Sequence, residues 1–328
     1  MTSCDPRSAA PTVIRDCLAL AETLPAEGDA EPTEAERIGC VLGRRYEIES
    51  LLGRGGMGAV FAARETTTGE RVALKILRDY ARFDPQILER FLQESLASAL
   101  IQHPNVVRAL GAFHDDVEGP VLILELLEGE NLAEHIERCG ALPAARALQI
   151  ALQIAEGISA AHARGVIHRD LKPANVFLQA GRAARDIDVR VLDFGISLLR
   201  EYGQSSNAVL LGTLSYMAPE QLQSARTADE RTDVYSLGMT LYEMLAGRTP
   251  FQETSASELL HEILFSPVPP LAERCPELEK AVSEVVGRSV QRDPAQRYQS
   301  MQEFREALRQ LNKTLGSAFS DAADSRFD

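Results

Sequence analysis

Apolar side chains change their spacing partway along this chain. Up to about residue 127 they fall in short alternating or continuous runs. "YEIESLL", "AVFAARE" and "ERVALKIL" read as strands, the first two separated by the glycine-rich "GRGGMG" and the last two by the turn "TTTG". "VLILELL" predicts a buried strand, and "LEGENL" a linker. After "ERVALKIL", Asp84 and Pro85 supply an N-cap and a first-turn proline. Leu88, Phe91, Leu92, Leu96 and Ala99 follow at helical spacing.

Beyond residue 127 the helical period dominates. "PAARALQIALQIAEGISAAHAR" is an amphipathic helix closed by Gly165, and "TDVYSLGMTLYEMLA" an apolar one closed by Gly247, with Pro250 after it. Ser300 and Glu303 form a capping-box pattern for a last helix ending near Leu311. The pattern therefore predicts a small strand-rich lobe with one helix over residues 45–127 and a larger, mostly helical lobe over 128–311, an α+β chain. Residues 1–44 and 312–328 read as flexible tails. "VIRDCLALAETL" in the first is a candidate short helix, and residues 1–43 carry eight acidic against three basic side chains. No internal repeat is apparent.

Composition narrows the function class. The 328 residues are 45% apolar, enough for a substantial core, and the net charge of -14 argues against a general nucleic-acid binder. Five scattered cysteines (Cys4, Cys17, Cys40, Cys139, Cys275) contain no C-x-x-C pair, so neither a zinc site nor a disulfide framework is expected. A reducing, cytoplasmic setting fits that usage. The apolar runs are too short for a membrane span, and the N-terminus lacks the pattern of a signal peptide.

Four stretches carry candidate chemistry. Gly53, Gly55 and Gly58 form a G-x-G-x-x-G-x-V pattern ending at Val60. A dinucleotide site would place a helix next, whereas the run here is strand-like. The alternatives are an ordinary flexible hairpin and a hairpin that folds over phosphates, where missing side chains let backbone N–H groups approach. Lys75 in "VALK" has apolar neighbours and needs an anion, for which Glu94 is a candidate; the plainer reading is a solvated lysine and a surface glutamate. In "VIHRDLKPANVF", Asp170 can accept a hydroxyl proton, Lys172 can neutralise a phosphoryl group and Asn175 can give an oxygen to a divalent cation. His168 reads as packing support, and Arg169 as a partner for a phosphorylated side chain. Asp193 in "VLDFGIS" is either a metal-binding carboxylate or part of an Asp–Gly turn.

These pieces, with "GTLSYMAPE" after them, stand in the order of the protein-kinase signature set. Over residues 45 to 311 the chain resembles eukaryotic-type (Hanks-type) serine/threonine protein kinases, most closely in wording the bacterial members. The resemblance implies a bilobal protein-kinase fold that uses ATP and Mg²⁺. By it, Lys75 contacts the α- and β-phosphates and pairs with Glu94. Asp170 orients the substrate hydroxyl and accepts its proton, Lys172 contacts the γ-phosphate, Thr213 aligns the two, and Asn175 and Asp193 hold the metal. Leu52, Val60, Ala73 and Phe177 enclose adenine under Gly53, Gly55 and Gly58. Leu124 takes the gatekeeper position, with Glu125 to Leu127 as the hinge. Glu220 and Arg297 form a buried ion pair, and Asp233 braces the catalytic loop.

"LKPAN" after Asp170 resembles the Ser/Thr rather than the Tyr class. Arg169 implies control by activation-loop phosphorylation, but "SSNAVLLGT" replaces the usual threonines, so Ser205 and Ser206 become the candidate sites. Expected partners are protein substrates, with Thr33 in "EPTEAER" either part of a solvated tail or a docking site for a phosphothreonine-binding module. Many bacterial relatives continue into a membrane span and sensor; this chain is expected to be a cytoplasmic kinase without them. A pseudokinase scaffold and a small-molecule kinase are the competing readings. The first conflicts with the presence of Lys75, Asp170, Asn175 and Asp193, the second with "GTLSYMAPE".

Overall fold

A computed structural model describes residues 33–54, 58–77, 99–180, 187–194, 212–223, 228–252 and 255–324, with side chains as far as residue 315. The chain divides into two units: Met1–His103 with Val107–Glu128, and Pro104–Val106 with Gly129–Asp328. No helix among the described residues is long and apolar enough to cross a membrane.

The first unit is built on a six-stranded sheet in the order β1-β2-β3-β4-β6-β5. Its strands are β1 (Val41–Leu42), β2 (Tyr46–Arg54), β3 (Gly58–Glu65), β4 (Arg71–Leu77), β5 (Ala109–Asp115) and β6 (Gly119–Glu125). All pair antiparallel. Side chains alternate across the pleat, so Ile48, Phe61, Leu74, Ile76, Val121 and Ile123 form one core. The opposite face is fixed by register: Val60 pairs with Lys75 and Lys75 with Leu122, while Ala62 pairs with Ala73 and Ala73 with Leu124. Gly58 is dictated by packing, since a Cβ there would sit 2.3 Å from the Ile76 carbonyl oxygen.

Residues 33–44, assigned above to an acidic tail, are structured. They hold the short helix α1 (Glu34–Arg37) and β1. Polar composition hid this, because the segment is held by ion pairs and edge pairing more than by apolar burial. The helix expected from Asp84 lies outside the described residues except for its end at Ala99 and Leu100, and Glu94 and Gly55 lie outside them as well.

The second unit is mainly helical, with α2 (Leu132–Cys139), α3 (Ala144–His162), α4 (Pro219–Gln223), α5 (Glu230–Ala246), α6 (Ala256–Phe265), α7 (Leu271–Arg274), α8 (Lys280–Ser289) and α9 (Met301–Asp324). A small sheet orders β7 (Gly129–Asn131), β8 (Val176–Ala180) and β9 (Ile187–Val191) as β7-β8-β9. The expected linker "LEGENL" thus contains a strand, which alternation in three residues cannot reveal. α3 buries Leu148, Ile150, Ala151, Ile154 and Ile158. α5 is buried nearly all round, starting at the Asp229 cap and stopping at left-handed Gly247 (φ 70°). α9 runs to Asp324, well past Leu311, so the flexible tail expected from residue 312 is helical over most of its length. Its cap is half as expected: Ser300 Oγ accepts the Glu303 N–H at 3.1 Å, but the Glu303 carboxylate accepts from Gln299 N–H at 2.7 Å rather than from Ser300.

Candidate active site

The segment from His168 to Asn175 is pinned from below by one carboxylate. Asp233, in the first turn of α5, is wholly buried. Its Oδ1 accepts the Arg169 N–H at 2.8 Å; its Oδ2 accepts the His168 N–H at 2.8 Å and the His162 Nε2–H at 2.7 Å. Burial opposes its negative charge, but the His162 hydrogen bond, the nearby imidazoles and the His168 N–H outweigh it and hold its pKa below the usual value. Gln221 donates to the Arg169 carbonyl at 2.7 Å. Arg169 therefore keeps a left-handed backbone (φ 65°) that a non-glycine residue adopts only when its surroundings enforce it.

His168 links this turn to the stretch around Asp193. A carbonyl can only accept, so its Nε2 donates to Leu192 O at 2.9 Å and Nδ1 is left to accept the Asp170 N–H at 3.3 Å. Its ring lies 4.8 Å from that of Phe194, the residue after Asp193. The packing role expected of His168 is thus accompanied by two hydrogen bonds.

Above this support, four polar side chains converge. Lys172 Nζ donates to Asp170 Oδ2 at 2.9 Å and to Thr213 Oγ1 at 3.0 Å. Asn175 Nδ2 donates to the Asp170 main-chain oxygen at 2.8 Å and to Asp170 Oδ2 at 3.0 Å. Both amide hydrogens being spent, the Asn175 oxygen remains as a metal donor. Asp193 (φ 45°) follows Leu192, whose N–H bonds to Asn175 O at 2.8 Å, so the two residues that could offer oxygens to a cation sit on neighbouring backbone segments. Two hard oxygen donors with the rest of the shell left to phosphate and water fit a divalent cation of the magnesium type. Phe177 is half-buried in β8, paired with Asn131.

Deeper in this unit, Arg297 and Glu220 meet as expected. The guanidinium bonds both Glu220 oxygens, at 2.7 and 2.8 Å, and the carbonyls of Gln291, Arg231 and Arg292. All five of its N–H donors are used, and the Tyr235 ring lies 4.8 Å from it.

In the first unit, Val60, Ala73, Leu124 and buried Lys75 share the sheet face opposite the core, and Gly53 pairs with Val60 at its margin. Leu52 is half exposed. Glu125 bonds Arg108 through both its N–H and its carboxylate, and Leu127 follows the end of β6. Ser205 and Ser206 lie outside the described residues. Thr33 is the N-cap of α1, exchanging hydrogen bonds with Glu36. Sequence reasoning missed His162, Gln221 and the anchoring of residues 33–42. The one signal for His162 was an ionisable side chain in the last turn of the amphipathic helix α3.

A strand-rich unit with a glycine hairpin and a buried lysine, joined to a helical unit with a braced Asp-Lys-Asn turn, defines a protein kinase. The chain matches the protein kinase domain family over residues 46–309, and it belongs to that family. It is 36% identical over 85% of its length to a Myxococcus xanthus protein named serine/threonine-protein kinase pkn2, covering 34% of that protein. It is 34% identical over 83% of its length to serine/threonine-protein kinase PknA of Mycobacterium tuberculosis, covering 62% of it. The chain thus spans about a third of the first of these relatives and under two thirds of the second. The solved kinase domain of Mycobacterium tuberculosis PknI superposes with a TM-score of 0.65 at 27% identity, covering 83% of this chain and 98% of that one. Use of ATP and a divalent metal is general to the family.

Proposed function

We propose that this chain transfers the γ-phosphate of Mg-ATP to serine and threonine hydroxyls of protein substrates, its own included. The observation that carries the reading is the Asp170-Lys172-Thr213-Asn175 network resting on Asp233. Asp170 is held so that one carboxylate oxygen is fixed by Lys172 and Asn175. That leaves the other oxygen to orient the incoming hydroxyl and take its proton. Lys172, steered by Thr213, balances charge on the transferring group. Asn175 and Asp193 would hold Mg²⁺, which when bound would neutralise phosphate charge. Lys75, with Glu94 as its expected partner, holds the α- and β-phosphates. By the family resemblance, Leu52, Val60, Ala73 and Phe177 would receive adenine, with Glu125 and Leu127 as the hinge and Gly53, Gly55 and Gly58 as the phosphate-covering glycines. In such a loose transition state, positioning and charge balance supply nearly all of the acceleration.

"LKPAN" and Thr213 favour Ser/Thr over Tyr acceptors. A binding-only scaffold has no support, since none of the reacting side chains is missing. The test is incubation with Mg-ATP and mass-spectrometric mapping of modified residues, with Asp170→Asn as control. Phosphoserine or phosphothreonine in the parent and none in the variant supports the proposal. Absence of transfer by the parent, or phosphotyrosine alone, overturns it. The same map reports whether Ser205 or Ser206 is modified.

A further inference from the structure

The segment before β2 is fastened to the rest of the first unit at four places. Thr33 caps α1 with a complete capping box: the Glu36 N–H reaches Thr33 Oγ1 at 3.3 Å, and the Thr33 N–H reaches Glu36 Oε2 at 2.6 Å. α1 then presents Arg37 inward, 5% exposed. Arg37 Nε and Nη2 donate at 2.7 and 2.8 Å to the two oxygens of Glu118, itself 2% exposed. Glu118 is set in the turn between β5 and β6 by its own N–H bond to Asp115. Downstream, Gly39 N–H bonds Ile48 O and Ile48 N–H bonds Cys40 O, both at 2.9 Å, and β1 continues that pairing along β2. Gly43 N–H bonds Asp115 Oδ2 at 2.8 Å, and a Cβ at Gly43 would fall 2.6 Å from the Phe113 ring. Finally, Glu34 forms an ion pair with Arg54, inside the glycine-rich hairpin.

That last contact reaches the end of β2, where its pairing is interrupted. β2 is irregular against β3 between Ile48 and Ser50 and again between Leu51 and Gly53. Each irregularity interrupts the ladder and bends the strand. At Gly53 an added Cβ would meet nothing within 4 Å. The backbone at Gly53 therefore has no close neighbour on its Cβ side. We propose that residues 33–42 form a clasp that positions the glycine-rich hairpin, with Arg37 and Glu118 as its buried anchor and Glu34 as its grip on Arg54. The proposal rests on the nucleotide reading of that hairpin. Glu34 is a positioning residue: it touches no substrate and acts through Arg54.

The anchor is unsuitable as the first variant, because an unpaired buried charge endangers folding. The grip is open to solvent on one side, with Arg54 exposed and Glu34 half-buried, and can be cut without stranding a buried charge. Glu34→Gln should speed amide exchange in residues 51–54 and 58–60. Because an exposed pair is weak, it should raise the Kd for a non-hydrolysable ATP analogue and the KM for ATP by about two- to fivefold. kcat should stay within about twofold and the melting temperature should not move, since only positioning of the bound nucleotide has changed. The difference should shrink at 1 M salt. The exchanged pair Glu34→Arg with Arg54→Glu should restore analogue binding. Unchanged exchange and unchanged Kd in Glu34→Gln would overturn the clasp. Failure of the parent chain to bind the analogue at all would instead overturn the nucleotide reading, and the exchange measurement would still decide whether Glu34 holds the hairpin.

Discussion

Replacing Asp233 by Asn tests the support beneath the catalytic turn. The carboxylate receives three hydrogen bonds, from the N–H groups of His168 and Arg169 and from His162, at 2.7 to 2.8 Å, in a site without solvent. Asparagine has the same shape but only one accepting oxygen, and its NH₂ must face at least one of those donors. If the oxygen stays toward His168 and His162, the Arg169 N–H is stranded against another donor. If it faces Arg169, the His168 N–H is stranded instead. Each arrangement leaves one buried backbone donor unsatisfied, costing about 1–3 kcal/mol, and turns the remaining charge-assisted bonds into neutral ones of roughly half the strength. A total near 3 kcal/mol is expected, visible as a fall of about 1 M in the urea midpoint. Arg169 also loses the contact that enforces its left-handed backbone, so Asp170 is displaced and kcat should drop by about 10- to 100-fold, with a smaller change in KM for ATP. The pH dependence gives an independent check. The folded-state pKa of Asp233 is depressed, so its stabilisation is present above the unfolded carboxylate value of about 3.9 and is lost as pH falls through the lower folded value. The gap in stability between parent and variant should therefore narrow on acidification below about pH 4. A variant with the parent's urea midpoint and turnover would refute the argument.

Arg297→Met should destabilise the chain by about 3–5 kcal/mol in urea melts, because Glu220 and three carbonyls lose their common donor. Thr213→Ala should lower kcat with little effect on ATP-analogue affinity, and Thr213→Ser should recover most of it, since only the hydroxyl bonded to Lys172 is needed; equal loss in both variants would count against that role. Asn175→Ala should raise the Mg²⁺ concentration needed for half-maximal activity, measured by titration at fixed ATP. Arg37→Met should cost about 3 kcal/mol or more by stranding buried Glu118, whereas Arg37→Met with Glu118→Leu should regain much of it; calorimetry of the two variants separates these outcomes.

Period and chemistry carried far in this chain. The strand-like runs of the first unit, the long helices α3 and α5 and their glycine stops were legible because each element is set by its own apolar spacing and end residues. So was the family, because the order of the motifs resembled that of protein kinases and the chain matches that domain family over residues 46–309. What the sequence could not show were partners distant along it. Arg37 is an ordinary charge in an acidic stretch until β5 and β6 bring Glu118 against it 81 residues later. His162 is a helix-terminal histidine until Asp233 arrives from α5, 71 residues on. The three-residue strand β7 exists only because β8 lies beside it. Local pattern thus determined which segments form elements and which family the chain belongs to. Tertiary folding alone decided which charges are buried, since desolvation and hydrogen bonding act between surfaces that meet only after the elements have packed.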